Sequence, residues 1–105
     1  MALIDQVKRK LDITWFDEET DRRVADIMES ATPVLKHRLG ITDPEFDFSK
    51  AGQENMLFLA LCLYEWNHSA NEFWDNYADD IATCQAIHEV AYYKAQEGNS
   101  NAATS

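Results

Sequence analysis

The residues able to do chemistry in this chain are few and poorly grouped. Three histidines, His37, His68 and His88, are spread over 105 residues, and none falls in a His-Glu-x-x-His frame or beside a pair of cysteines. The best metal-ligand spacing is Glu65, His68 and Glu72, at i, i+3 and i+7, which would put three donors on one side of an unbroken helix. The turn-forming residues between them argue against that continuity and a fourth ligand is missing, so a wet corner between helices is the favoured reading. Cys62 and Cys84 sit in apolar surroundings without Cys-x-x-Cys spacing, which predicts two buried free thiols in a reducing compartment. Asp79 and Asp80 are adjacent, so their carboxylates diverge around a helix, and a solvated face explains them better than acid–base work. With three glycines there is no phosphate-cradling loop, and no Ser-His-Asp set can be assembled. The expectation is no catalysis, no cofactor and no structural metal.

The aromatic series Trp66, Phe73, Trp74, Tyr77, Tyr92 and Tyr93 has the composition of a base-stacking platform. Such platforms accompany basic grooves, whereas acids are interleaved here, so packing in a core or an interface is the expected role. The charge agrees. Nineteen acidic against nine basic residues leave a net charge of -10 and a pI near 4.5, the opposite of what phosphate contacts require. Beyond an ordinary acidic domain, two readings survive: a surface that repels DNA, or one that imitates it.

The element that must position everything else is the stretch Met56 to Trp66, in which ten of eleven residues are apolar or aromatic. It lacks the alternation of a half-exposed strand and falls short of the roughly 20 apolar residues that span a bilayer. Straight-chain helix formers dominate it, so it is expected to be a central helix covered on several sides and the most buried segment, with Leu59 and Leu61 in the core. Before it, Ala2 to Leu11 reads as a short amphipathic helix, with Leu3, Ile4, Val7 and Leu11 on one face. The link Asp12 to Phe16 is expected to dock through its β-branched and aromatic residues. A second helix starts at an Asp17 N-cap and carries the stripe Val24, Ile27, Met28, Ala31, Leu35, Leu39. Pro33 is expected to kink this helix near Ala31 without ending it, and Gly40 to cap it.

Ile41 to Lys50 reads as a loop pinned by Phe46 and Phe48, with Ser49 capping the central helix. A break at Asn67–Asn71, with Asn71 as cap, precedes a last helix from Glu72 to about Gln96 that Gly98 ends. The fold class is therefore all-α: a small bundle of three to four helices around a central apolar helix, one domain over residues 1–98, and a disordered tail over 99–105. The basic cluster of Lys8, Arg9 and Lys10 follows an apolar patch, the reverse of a signal peptide. No membrane segment is expected.

The order of these signals resembles a known family. ITWFDEETDRRVADIMESATPVLKHRLGI is similar to the N-terminal half of the head–tail connector (adaptor) proteins of long-tailed bacteriophages. FDFSKAGQENMLFLALCLYEWN is similar to that family's middle, and NEFWDNYADDIATCQAIHEVAYY to its terminal helix, so the likeness spans residues 12–93. The resemblance implies a structural subunit that assembles with copies of itself into a ring, a dodecamer in the virion. It also implies a place at the head–tail junction, between the portal protein and the stopper or tail-completion proteins, with DNA passing through without tight binding. Such a protein is made in the cytoplasm of a bacterial host, from a phage or a prophage. The family has no catalytic residues to carry over. In such a ring an acidic wall would not grip a moving duplex, with Asp75, Asp79 and Asp80 as lumen candidates. Trp15, Trp74 and Tyr77 are candidates for the subunit interface, which must be heterologous to close a ring. The alternative is an acidic DNA mimic or a helical adaptor that binds a basic protein partner.

Overall fold

The computed structural model describes the backbone of residues 2–104 and the side chains of residues 2–94. Among the described residues there are five helices and no strand: α1 (Leu3–Lys10), α2 (Glu18–Leu39), α3 (Gln53–Trp66), α4 (Ala70–Asn76) and α5 (Ala78–Thr104). The fold class is all-α.

The ends of α2 follow from its sequence. Asp17 adopts extended backbone and its Oδ2 accepts from the Thr20 N–H at 3.3 Å, so an orphan donor of the first turn is satisfied. At the other end Gly40 takes φ of 71°, and the Ile41 N–H reaches back to the Lys36 carbonyl at 2.9 Å. This is a Schellman closure, and it tucks Ile41 into the core. Between the caps the helix runs through Pro33. Val24, Ala31, Leu35 and Leu39 are buried, with Ile27 and Met28 half-buried beside them.

The helix α3 packs against α1, α2, α4 and α5, which is why its face is apolar nearly all round. Leu57, Phe58, Ala60, Leu61 and Cys62 are fully enclosed. The burial is not uniform. Met56 is 44% exposed, and Leu59 is only partly covered, beside Gln6, Arg9 and Lys10 of α1. Leu59 therefore does not belong with Leu61 in the deep core, because α1 is too short and too polar on that side to cover it.

Several local expectations are corrected. Ser49 does not cap α3: the helix starts at Gln53 behind Gly52, and the Ser49 N–H instead donates to Asp47 Oδ1 at 2.9 Å. Asn55, one turn into α3, performs the tie. Its Nδ2 donates to the Phe48 carbonyl at 2.7 Å and to Gln6 Oε1 at 2.6 Å, while Gln6 Nε2 donates to the Ser49 carbonyl at 2.9 Å. One amide pair thus joins α1, the loop and α3. The break after α3 is real, with His68 at φ of 58° and the Ser69 N–H closing onto the Tyr64 carbonyl at 2.8 Å. Ser69 rather than Asn71 occupies the N-cap position, and its side chain makes no cap bond. The expected single last helix is two, interrupted at Tyr77. Phe73 and Tyr77 stack at 5.0 Å in one aromatic cluster with Tyr64 and Trp74.

The helix α5 does not stop at Gly98; its backbone is helical to Thr104. Glycine inside a helix costs only about 1 kcal/mol relative to alanine, which a helix of 27 residues absorbs. The disordered tail expected over 99–105 is helical backbone as far as Thr104, and Ser105 lies outside the described residues. At 1.5 Å per residue α5 is about 40 Å long. It extends the molecule to 58 × 27 × 20 Å, with a radius of gyration of 16.2 Å, where a spherical domain of this length has about 13 Å.

Candidate functional site

Two kinds of site are available: exposed apolar surface that an assembly would cover, and one polar cluster between helices. The first apolar patch lies at the link between α1 and α2. Leu11 and Ile13 are buried there, and the Ile13 N–H is held by the Lys8 carbonyl at 2.9 Å with Asp12 in the left-handed region. Beyond that anchor the link's two aromatic side chains face outward: Trp15 is 50% and Phe16 96% exposed. The link therefore docks through Ile13 alone, a correction to the expectation that its aromatics would pack inward. Trp15 is steadied by Nε1 donating to Thr20 Oγ1 at 3.3 Å, and Asp5, Lys8, Arg9 and Asp12 share its surface cleft.

The second patch is on α5. Ile87, Val90 and Tyr93 are more than half exposed and recur every three residues, so each neighbours the next along the helix. Glu89 and Tyr92 flank them, next to Gly40 and Thr42 of the α2 cap. The helices α1 and α5 do not touch among the described residues, so the two patches belong to separate parts of the surface. No lysine or arginine occurs between Lys50 and Lys94, whereas Lys8, Arg9 and Lys10 all lie in α1.

The expected interface residues are not brought together. Trp15 stands at the link, while Trp74 and Tyr77 are half-buried around Phe73. Trp74 meets Phe73 edge-on at 4.9 Å, Tyr77 meets Tyr64 at 6.1 Å, and the Arg38 guanidinium covers the Trp74 ring at 4.7 Å. Of the acids proposed for a lumen, Asp75 and Asp79 are exposed and Asp80 is half-buried, its carbonyl accepting from Gln53 Nε2 at 3.3 Å.

The metal spacing read from sequence is not realised. The break at His68 separates Glu65, at the end of α3, from Glu72 on α4, and Arg23 occupies that corner. Its guanidinium lies 4.0 Å over the Trp66 ring and donates to the Trp66 carbonyl at 2.9 Å. What the fold does assemble is Glu54, Cys84 and His88, a group that sequence spacing could not reveal because 30 residues separate Glu54 from Cys84. Glu54 Oε1 lies 2.9 Å from His88 Nε2 and 3.6 Å from Cys84 Sγ. Burial alone would raise the Glu54 carboxyl, but its own backbone N–H and His88 hold it below the ordinary glutamate range. Cys84 is pushed up to about 11, first by burial and then by the Glu54 charge, and Cys62 to about 12, first by burial and then by Glu65. Both cysteines are free, and at neutral pH both are thiols. No helix among the described residues is long and apolar enough to cross a membrane.

Compared with protein-family models, curated proteins and solved structures, the chain matches none.

Proposed function

We propose that this chain is a structural subunit of a phage head–tail connector, a helix bundle around the apolar α3 that joins copies of itself into a ring. The observation that carries the reading is the pair of unlike patches. Trp15 and Phe16 project from the link into a cleft of mixed charge shared with Asp5, Lys8, Arg9 and Asp12, and the α5 face is a helical stripe of Ile87, Val90 and Tyr93 flanked by Glu89 and Lys94. A heterologous contact needs two different surfaces on each subunit, and such contacts close into rings when the rotation allows. In the virion the ring is a dodecamer between the portal and the stopper or tail-completion proteins. Asp75, Asp79 and Asp80 face the lumen, and Trp74 and Tyr77 lend ring edges to the subunit contact. Repulsion between the net charge of -10 and phosphate keeps DNA moving through rather than bound.

The test is to mix the chain with the portal protein of the phage that encodes it and image the product, with DNA affinity measured at physiological salt. Rings stacked coaxially on the portal, with negligible DNA affinity, are expected. A stable dimer that ignores the portal and captures a basic DNA-binding protein would overturn the connector reading in favour of an acidic DNA mimic or a helical adaptor.

A further inference from the structure

We propose that Glu54, Cys84 and His88 form a binding site for a borderline-soft divalent cation of the zinc class, stapling the first turn of α3 to α5. Cys84 and His88 are four residues apart on α5, the spacing at which two helical side chains reach the same side. Glu54 approaches them from α3. The three donor atoms, Sγ, Nε2 and Oε1, all lie within 4.8 Å of one another, and they are the one group of this kind among the described residues. Tetrahedral zinc with bonds of about 2.0–2.3 Å sets its ligand atoms roughly 3.3–3.8 Å apart. The Cys84–Glu54 separation of 3.6 Å already has that value, and the His88–Glu54 separation of 2.9 Å needs to open by about half an ångström.

The donor set selects the metal. Thiolate and imidazole with one carboxylate suit zinc, whereas magnesium and calcium require oxygen ligands throughout. Access and local charge agree with this. Cys84 is enclosed, but the His88 and Glu54 side chains are 20% and 27% exposed. On its other side Glu54 borders a cleft lined by Asp43, Glu45, Asp47 and Lys50. Three further carboxylates against one ammonium favour a cation there, and water completes the fourth position. The protons balance simply. The metal takes Cys84 as thiolate, releasing the Sγ proton to solvent. His88 binds through a neutral Nε2, so the proton it now shares with Glu54 moves to Nδ1, or to solvent if the ring was charged.

The experiment uses the full tag-free chain, stripped with chelator and titrated with Co²⁺, which reports tetrahedral thiolate ligation by colour. One equivalent is expected to produce a thiolate-to-cobalt charge-transfer band and tetrahedral visible bands, and one equivalent of Zn²⁺ should abolish both. Cys84→Ser should remove the charge-transfer band and weaken binding by at least about 100-fold, the upper end of the effect of outer-shell losses. Cys62→Ala should leave both bands intact. If Cys84→Ser loses its helical circular dichroism, His88→Gln decides the matter: at a partly exposed position it should stay folded, shift the visible bands and weaken binding. Absence of cobalt bands at stoichiometric metal would overturn the site. So would bands that survive both Cys84→Ser and His88→Gln in folded protein.

Discussion

Two short links each carry a pair of aromatic residues between helices, and the structure treats them oppositely. In the loop between α2 and α3, Phe48 is buried, stacks on Phe58 at 4.8 Å and is met edge-on by Phe46 at 5.0 Å. In the link between α1 and α2, Trp15 and Phe16 face outward. Residue type does not separate them. What does is whether the backbone on either side is tied down facing the core. Asn55 and Gln6 hold the Phe48–Ser49 carbonyls against α3, so the ring beside them has nowhere to go but inward. The other link spends its one inward position on Ile13 and then turns to begin α2 at Asp17. A buried aromatic pair stabilises the fold; an exposed one is available to a partner.

The largest expected effect of testing that contrast is at Phe48. Phe48→Ala should destabilise the chain by about 3–5 kcal/mol in denaturant unfolding, since a fully enclosed ring leaves a cavity. A value near that of a surface substitution would mean the loop is not part of the core. The same logic divides α3: Leu61→Ala should cost about 2–5 kcal/mol, and Leu59→Ala clearly less, because Leu59 is partly open beside α1.

An intermediate effect should come from pH. The Cys62 thiol, held up to about 12 by burial, stays protonated in the folded chain after the unfolded chain ionises near 8.5. Its contribution is full below pH 8.5 and falls by about 1.4 kcal/mol per unit as pH rises toward 12. Urea midpoints at pH 7, 9 and 10 check this against Cys62→Ala, in which the slope should fall by about half, the remainder coming from Cys84, whose thiol is held up to about 11. Glu54 works at the other end. With its carboxyl held low, its contribution is intact above about pH 4.3 and is lost as pH drops below that value. The Glu54→Gln variant should flatten part of the acid limb.

Smaller again is the cap. Asp17→Ala should cost about 1 kcal/mol and shift the unfolding midpoint without changing its slope. The smallest stability effect should be at Phe16, where Phe16→Ala should change folding by less than about 0.5 kcal/mol yet impair ring formation on the portal. A variant equally stable and equally able to assemble would remove the link from the subunit contact and leave the α5 face to carry it.

Sequence alone determined the helical class, the caps of α2 at Asp17 and Gly40, the core stripe Val24–Leu39, the enclosure of Leu61 and the break before α4. These depend on interactions within a few residues, or on a periodicity that already states which side must be dry. The acidic excess was equally plain. Tertiary structure decided what depends on which helices meet. Phe16 and Phe48 look alike until a clip between Gln6 and Asn55 holds one of them inward. The last helix divides at Tyr77, whose ring packs against Tyr64 of α3. Glu54, Cys84 and His88 become neighbours only when α3 and α5 cross, since side-chain chemistry between distant residues is set by packing and leaves no spacing in the chain to read.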